Sequence, residues 1–207
     1  MNKIFKSAAV AIVALSPILF ASCGSGLTGV PADKDVHKQE GLKSIKEKMV
    51  NAFGGDKKVH SLSITTKDHM DNTFGMASIG YLDNGKDMQQ SFVTEPEEKA
   101  QPAKPSVVQS EFLLKSKQGG VAVKDFNLEQ IAAKTEEAMK MIPAEYEGFY
   151  LHDWTYDVSN DDKVTADFVI EGSKKGESSK QQGRMIVSNY YEFKFKMDEA
   201  GKVSMVE

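Results

Sequence analysis

The chain has 207 residues, a formal net charge of −4 and a single cysteine, Cys23. One thiol excludes a disulfide scaffold within the chain and a metal site built from several cysteines. An acidic chain with scattered lysines argues against nucleic acid as a partner, because phosphates require a concentrated basic face. The length allows one sizeable hydrophobic core or two small ones.

The first 23 residues have the three-part layout of an export signal. Lys3 and Lys6 form the charged start, residues 8–20 form an apolar run, and Ala21-Ser22 place small residues directly before Cys23. This layout resembles a bacterial lipoprotein signal. The apolar run is shorter than the roughly 20 residues that a membrane-spanning helix needs, which disfavours an uncleaved anchor. A plain secretory signal followed by a coincidental cysteine is the alternative.

The lipoprotein resemblance implies a signal peptide over residues 1–22 and a diacylglycerol with an N-acyl chain, such as palmitate, on Cys23. Residues 23–35 are rich in glycine and predict a flexible tether. Cleavage leaves 24 basic and 30 acidic residues, a formal charge of −6. We therefore expect a body anchored to a membrane of the cell envelope by lipid, with no other cofactor. Gly24 is compatible with sorting to the outer membrane of a Gram-negative bacterium.

The first part of the body, residues 36–126, predicts a helix followed by strands. Apolar residues at helical spacing over 36–53, followed by Gly54-Gly55, indicate one amphipathic helix. Asn84-Gly85 predicts a tight hairpin turn, and residues 94–106, with three prolines, predict an exposed excursion. Alternating apolar and polar residues predict five strands, at 60–65, 73–82, 88–93, 107–115 and 121–126.

The second part of the body, residues 127–207, repeats this order. Asn127 and Gln130 have the spacing of a capping box, and Pro143 follows the last apolar position, Ile142, so a helix is predicted over 127–142. Residues 172–183 predict a polar surface loop. Further strands are predicted at 149–158, 164–170 and 185–197, with a short last strand ending at Val206.

The shared order of elements predicts an α+β fold built as a tandem repeat, each unit laying one helix on an antiparallel sheet of about four strands. The closest sequence match pairs residues 110–117 and the following glycines with residues 191–197 and Gly201. This layout is similar to the helix-on-sheet repeats of exported PepSY-like and β-lactamase-inhibitor-like proteins, and the resemblance implies a fold but no functional residues. A cystatin-like or nuclear-transport-factor-like unit, and a coincidental similarity, remain alternatives.

No motif for chemistry stands out. The four histidines, His37, His60, His69 and His152, contain no pair at the i, i+2 or i, i+4 spacing of metal ligands. The nearest approach to a ligand cluster is Asp68-His69-x-Asp71, which a polar turn between strands explains as well. Neither a nucleophile elbow nor a glycine-rich nucleotide-binding motif occurs. The sequence therefore predicts no metal site and no catalytic residues.

The aromatic side chains of Tyr150, Trp154 and Tyr156 are the candidate binding residues. They share parity on one predicted strand and could line one face of a sheet, where Trp and Tyr are favoured anchors. Core packing beneath the second helix is the alternative, and exposure decides between the two.

The sequence thus favours a lipid-anchored, non-enzymatic module that binds a protein, a peptide or an envelope polymer. A hydrolase or small-ligand carrier with a cleft between the halves, lined by convergent histidine and acidic side chains, is the alternative function.

Overall fold

The computed structural model describes residues 30–177, 180–182, 185–187 and 189–206. The predicted signal peptide, Cys23 and most of the predicted tether lie outside these residues. The fold is α+β, with helices packed on a mostly antiparallel sheet. The described α-helices are α1 (Gln39–Phe53), α2 (Glu111–Lys115) and α3 (Gln130–Met139), and 3-10 helices lie at Ala32–Lys34 and Val123–Asp125.

The described strands are numbered in chain order. They are β1 (Lys58–Val59), β2 (Ser61–Thr66), β3 (Phe74–Asp83), β4 (Lys86–Val93), β5 (Lys99–Ala100), β6 (Lys104–Pro105), β7 (Val121–Ala122), β8 (Tyr146–Val158), β9 (Val164–Lys174), β10 (Lys180–Gln182), β11 (Met185–Val187), β12 (Tyr191–Met197) and β13 (Val203–Met205). The predicted hairpin between β3 and β4 is confirmed, because Asn84 and Gly85 both have the positive φ angles, 48° and 74°, of a primed turn.

Nine of these strands form one continuous antiparallel sheet. Its order is β13-β12-β9-β8-β2-β3-β4-β5, and β6 also pairs with β4. The two strands at its centre, β8 and β2, come from the second and the first part of the body. The short pairs β1 with β7 and β10 with β11 lie outside this sheet.

One face of the sheet carries the hydrophobic core. On β2, Leu62 and Ile64 are buried while the serines between them are only half-buried. The buried stripe of α1 and that of α3 join these sheet residues in a single apolar cluster. The helices therefore cover this face, which is called the helix face below, and the opposite face, which carries Ser61 and Ser63, is called the open face.

The predicted strand over residues 107–115 is wrong, because Glu111–Lys115 forms the short helix α2. The side chain of Ser110 caps this helix by accepting a hydrogen bond from the Leu113 N–H at 3.3 Å. Phe112 is 80% exposed, so the apolar residues that suggested a buried strand face do not enter the core. The match of residues 110–117 with 191–197 consequently compares a helix with a strand.

Two polar segments and two further predicted strands also have a structure that differs from the prediction. Residues 94–106 are not simply an excursion, because β5 and β6 within them pair with the free edge of β4. Of the predicted strand 121–126, only β7 is extended, and a 3-10 helix follows it. The predicted loop 172–183 begins late because β9 continues to Lys174, and β10 lies inside it. The predicted strand over 185–197 is divided into β11 and β12.

Both long helices begin later than predicted. The Val36 N–H donates to the Asn72 carbonyl at 3.0 Å, and the Lys38 N–H donates to the Asp35 carbonyl at 3.1 Å. This segment therefore forms a turn held to the loop before β3, and α1 begins at Gln39. The helix α3 begins at Gln130 with no side-chain cap, which overturns the predicted capping box. Among the described residues, no helix is long and apolar enough to cross a membrane.

Candidate functional site

Two of the three predicted binding residues are core residues. Trp154 and Tyr156 are 0% exposed, which overturns the prediction that they form a binding face. The indole of Trp154 stacks on the Phe168 ring at a centroid distance of 4.3 Å. The Tyr156 hydroxyl donates to the Asn127 carbonyl at 2.8 Å and accepts from the Gln130 side chain, so it fixes α3 to the sheet. Burial raises the pKa of Tyr156.

The three aromatic residues do not share one face of the sheet, because β8 contains a β-bulge. The register to β9 shifts between Leu151 and Asp153, and the residue between them is His152. One extra residue reverses the alternation of side chains along the strand. Tyr150, opposite Glu171, consequently lies on the open face and is half-buried, whereas Trp154 lies on the helix face.

The same bulge brings His152 onto the open face beside Glu171. A third residue, His69, reaches them from the loop between β2 and β3, and the three form what is called the histidine–carboxylate cluster below. The possible metal-ligating atoms of the cluster all lie within 4.8 Å of one another. The His152 Nδ1 lies 3.6 Å from Glu171 Oε1, and His69 Nδ1 makes a short hydrogen bond with the same oxygen.

Glu171 is the buried centre of the cluster. Its side chain is 0% exposed, and a buried carboxylate is costly unless donors surround it. Oε2 accepts the Met70 N–H at 2.6 Å, while Oε1 faces the two imidazoles. Met70 has a φ of 53°, which is uncommon for a residue other than glycine. The loop thus adopts a strained conformation that presents both the Met70 N–H and the His69 ring to one carboxylate.

The outer side of the cluster is open to solvent. The His69 side chain is 51% exposed, and its ring lies between the rings of His152 and Tyr190, with centroid distances of 4.6 Å and 4.4 Å. The Tyr190 hydroxyl lies 3.2 Å from His69 Nε2. Burial raises the pKa of the neighbouring Asp153, and the carboxylates of Glu192, Glu171 and Asp167 raise it further against the opposing effect of His152.

Sequence spacing identified only one member of this cluster. His69 belongs to the Asp68-His69-x-Asp71 segment, but Asp71 caps its own turn by accepting the Thr73 N–H at 3.0 Å, as the polar-turn interpretation expects. Glu171 is 102 residues from His69. Spacing along the sequence therefore does not connect these residues.

A second buried charge cluster contains His60, Asp87 and Lys117. Asp87 is 1% exposed, and its carboxylate contacts His60 Nε2 at 2.8 Å and Lys117 Nζ at 2.5 Å. Burial raises the pKa of the Asp87 carboxyl, but the hydrogen bonds from Lys117 and His60 outweigh burial and hold its pKa below the ordinary value. The Gln109 side chain closes the site by bonding both the N–H and the carbonyl of Asp87. This network joins β4 to the α2 region and has a structural role.

We expect Asp87→Asn to lower the free energy of unfolding by about 2–3 kcal/mol at pH 7, because it leaves the buried His60 and the half-buried Lys117 without their charged acceptor. The lowered pKa of Asp87 means that its contribution is present above about pH 4 and is lost as the pH falls through the folded-state value. The difference between wild type and variant should therefore shrink on acidification. Urea denaturation at several pH values measures it, with the exposed Asp83→Asn as control; a difference that is constant from pH 7 to pH 3 contradicts the assignment.

The remaining histidine, His37, is a packing residue. Its Nε2 accepts the Leu151 N–H at 3.0 Å, so this nitrogen carries no proton. Burial lowers the pKa of His37, although Asp35 and Glu136 act in the opposite direction. The ring joins the segment before α1 to β8. His37 is thus far less suited to bind a ligand than the half-exposed His69.

The central strands of the open face form a shallow polar depression. Its volume is about 260 Å³, and hydroxyl groups dominate its lining, which includes Ser61, Ser63, Ser78, Ser91 and Thr155. Ser78 and Ser91 bond to one another across β3 and β4 at 2.8 Å. Small side chains on four adjacent strands leave backbone and hydroxyl groups accessible to a partner. This depression is called the serine depression below.

Comparisons of the chain with protein-family models, curated proteins and solved structures found no match. The serine depression and the histidine–carboxylate cluster are the two features of the open face that could bind a partner or a ligand.

Proposed function

We propose that this protein is a lipid-anchored, non-enzymatic binding module of the cell envelope that holds a peptide, a protein segment or an envelope polymer against the open face. The observation that carries the proposal is that, in the part of the chain that the structure describes, the two long helices α1 and α3 pack on one side of the long sheet. The other side presents the serine depression at its centre. A large, regular surface left free of helices is suited to a partner.

The chemistry of the serine depression favours an extended polar occupant. Hydroxyl groups both donate and accept hydrogen bonds, and their small size lets a chain approach the sheet closely. Four adjacent strands span about 15 Å at roughly 4.8 Å per strand, which is the length of a short peptide or a few sugar units. An apolar partner would gain little from a face of serine and threonine. A polar polymer of the envelope is the best match.

We also propose that the body arose by duplication of one helix and four strands. The sheet order supports this, because the first long strands of the two halves, β2 and β8, meet at its centre. On each side, the following strands continue outward in chain order, as β3, β4 and β5 or as β9, β12 and β13. Ser63 and Thr155, which face each other across the centre, would then occupy equivalent positions. The serine depression would lie on the axis that relates the two units.

The lipid anchor on Cys23 remains part of this proposal. The folded residues begin within the predicted tether, since Ala32–Lys34 already forms a 3-10 helix. Anchoring would hold the body within a short distance of a membrane surface. A partner in the same envelope layer would therefore meet it at a high effective concentration.

A hydrolase or small-ligand carrier is the second candidate, and one observation favours it. Histidine and acidic side chains converge where the two halves meet, since His69 belongs to the first half, and His152 and Glu171 to the second. A general base needs such an imidazole within reach of a substrate. The described depressions are lined by other residues, however, and none of them encloses this cluster.

We expect Ser63→Arg to weaken partner binding by about tenfold or more, equal to about 1.4 kcal/mol, because the long side chain fills the serine depression. The assay is co-sedimentation of the soluble body, residues 27–207, with isolated peptidoglycan sacculi, together with pull-down from envelope protein extracts. Ser204→Arg adds the same side chain on the edge strand β13 and should bind as wild type does. Equal recovery of every ligand by both variants would reject the open face as the binding surface.

A further inference from the structure

We propose that His69, His152 and Glu171 bind a divalent transition metal ion of the zinc class. Two imidazoles and one carboxylate are a ligand set that zinc favours, with a fourth position left for water or a ligand. Imidazole also suits the neighbouring ions of the first transition row, whereas magnesium and calcium prefer oxygen. The inference does not depend on the binding role proposed for the serine depression.

One of the spacings between ligand atoms already fits this proposal. Zinc bonds of about 2.0–2.2 Å place neighbouring ligand atoms of a tetrahedral site roughly 3.4 Å apart. His152 Nδ1 and Glu171 Oε1 lie 3.6 Å apart, which is within about 0.2 Å of that value. His69 Nδ1 lies closer to the same oxygen, at hydrogen-bonding distance. The metal ion would replace the proton that now joins His69 to Glu171.

This exchange requires a movement that only one ligand has to make. Glu171 and His152 lie on adjacent strands of the sheet and are held by it. His69 lies on a loop with its side chain 51% exposed, so its ring can withdraw by about 1 Å and rotate. At present its ring is nearly parallel to that of His152, with an interplanar angle of 15°. A rotation of the His69 ring would direct its nitrogen toward a shared ion.

The groups around the cluster are arranged as the outer contacts of a metal site are. Glu171 Oε2 is engaged by the Met70 N–H, which leaves Oε1 for the ion. A metal-bound histidine usually donates its other ring N–H to an oxygen, and the Tyr190 hydroxyl lies 3.2 Å from His69 Nε2. These contacts would fix the orientation of both ligands.

A metal ion at this position would link the two halves of the body. His69 is carried by the loop after β2, and the other two ligands by β8 and β9, so binding joins the loop to the sheet. An ion that binds only the folded protein raises its unfolding temperature. Metal binding therefore has a readout that does not depend on any activity.

The test uses the soluble body without a histidine tag, stripped of metal by a chelator. We expect isothermal titration to give one Zn²⁺ per chain, Co²⁺ to produce the visible absorption of a tetrahedral site, and Zn²⁺ but not Mg²⁺ to raise the unfolding temperature. The variants His69→Gln and His152→Gln should each weaken Zn²⁺ binding by about tenfold or more. Asp68→Asn, which removes a charge beside His69 but no proposed ligand, should bind as wild type does.

Two results would overturn the proposal. One is a wild-type body that takes up no Zn²⁺ at 100-fold excess over protein. The other is a His69→Gln variant that binds Zn²⁺ as tightly as the Asp68→Asn variant does, because the ion would then be bound by surface carboxylates and not by the histidine–carboxylate cluster. Far-UV circular dichroism of each variant without metal checks that the fold is retained. His69→Gln is the more informative variant, because the exposed loop position makes unfolding by the substitution itself unexpected.

Discussion

Trp154→Ala will lower the free energy of unfolding by about 3–5 kcal/mol, the usual cost of removing a fully buried aromatic side chain. The indole lies at one end of an aromatic row that crosses three strands, with Phe168 in the middle. It stacks on Phe168 at 4.3 Å, and Phe168 stacks on Phe195 at 5.4 Å. These residues are direct cross-strand neighbours, so the substitution opens a cavity between the sheet and the helices. Urea denaturation followed by far-UV circular dichroism measures the effect.

Tyr150→Ala is the matched control for this prediction. Tyr150 lies four residues earlier on the same strand but on the open face, where it is half-buried, so we expect a cost of about 1 kcal/mol or less. Trp154 is the only tryptophan of the chain, so tryptophan fluorescence cannot follow the unfolding of Trp154→Ala. Similar costs for Trp154→Ala and Tyr150→Ala would contradict the assignment of the two residues to opposite faces.

Cys23→Ser will abolish incorporation of a labelled palmitate analogue into the protein in cells. The proposed anchor attaches its acyl chains to this residue, and no other thiol exists in the chain to replace it. Each buried methylene contributes about 0.8 kcal/mol to membrane binding, so two or more chains give an anchor that washing with salt does not release. Mass spectrometry of the N-terminal peptide of the wild-type protein should show the lipid on Cys23.

Ser25→Ala serves as the control, because it changes a polar residue two positions later and leaves the thiol in place. It should be labelled as strongly as wild type. Labelling that persists in Cys23→Ser would reject the lipoprotein assignment. An unlabelled wild-type protein, with an N-terminus that carries no lipid, would favour the plain secretory signal instead.

Local pattern was sufficient for several elements of the fold. The helix α1, the strand β2 and the turn at Asn84-Gly85 follow from the period of apolar residues and from turn chemistry, which act between near neighbours. Burial along β12 also agrees with the alternation of the sequence, since Phe195 and Met197 are buried and Lys196 is exposed. In the helix and the strands among these elements, one side packs on the core and the other faces solvent. The buried residues are therefore those that the apolar period predicts.

Local pattern failed where an irregularity or a distant partner decided the outcome. The bulge at His152 reversed the alternation along β8, so Tyr150 does not share a face with Trp154 and Tyr156. Trp154 and Tyr156 are core residues, as the core-packing alternative expected. The segment of α2 was predicted as a strand, but it pairs with none of the described strands, and the Ser110 cap favours a helix turn. The strands β5 and β6 form only because the edge of β4 is available to pair with them.

The sequence by itself determined the α+β class and the order of the main elements, because periodicity and turn chemistry are properties of neighbouring residues. The export layout that ends at Cys23 stays a prediction. Only the tertiary structure decided that the two halves share one sheet, that the open face carries serine and threonine, and that His69, His152 and Glu171 meet. The physical reason is that strand pairing and a bulge set which distant side chains share a face. Neither is encoded in the spacing of those residues along the chain.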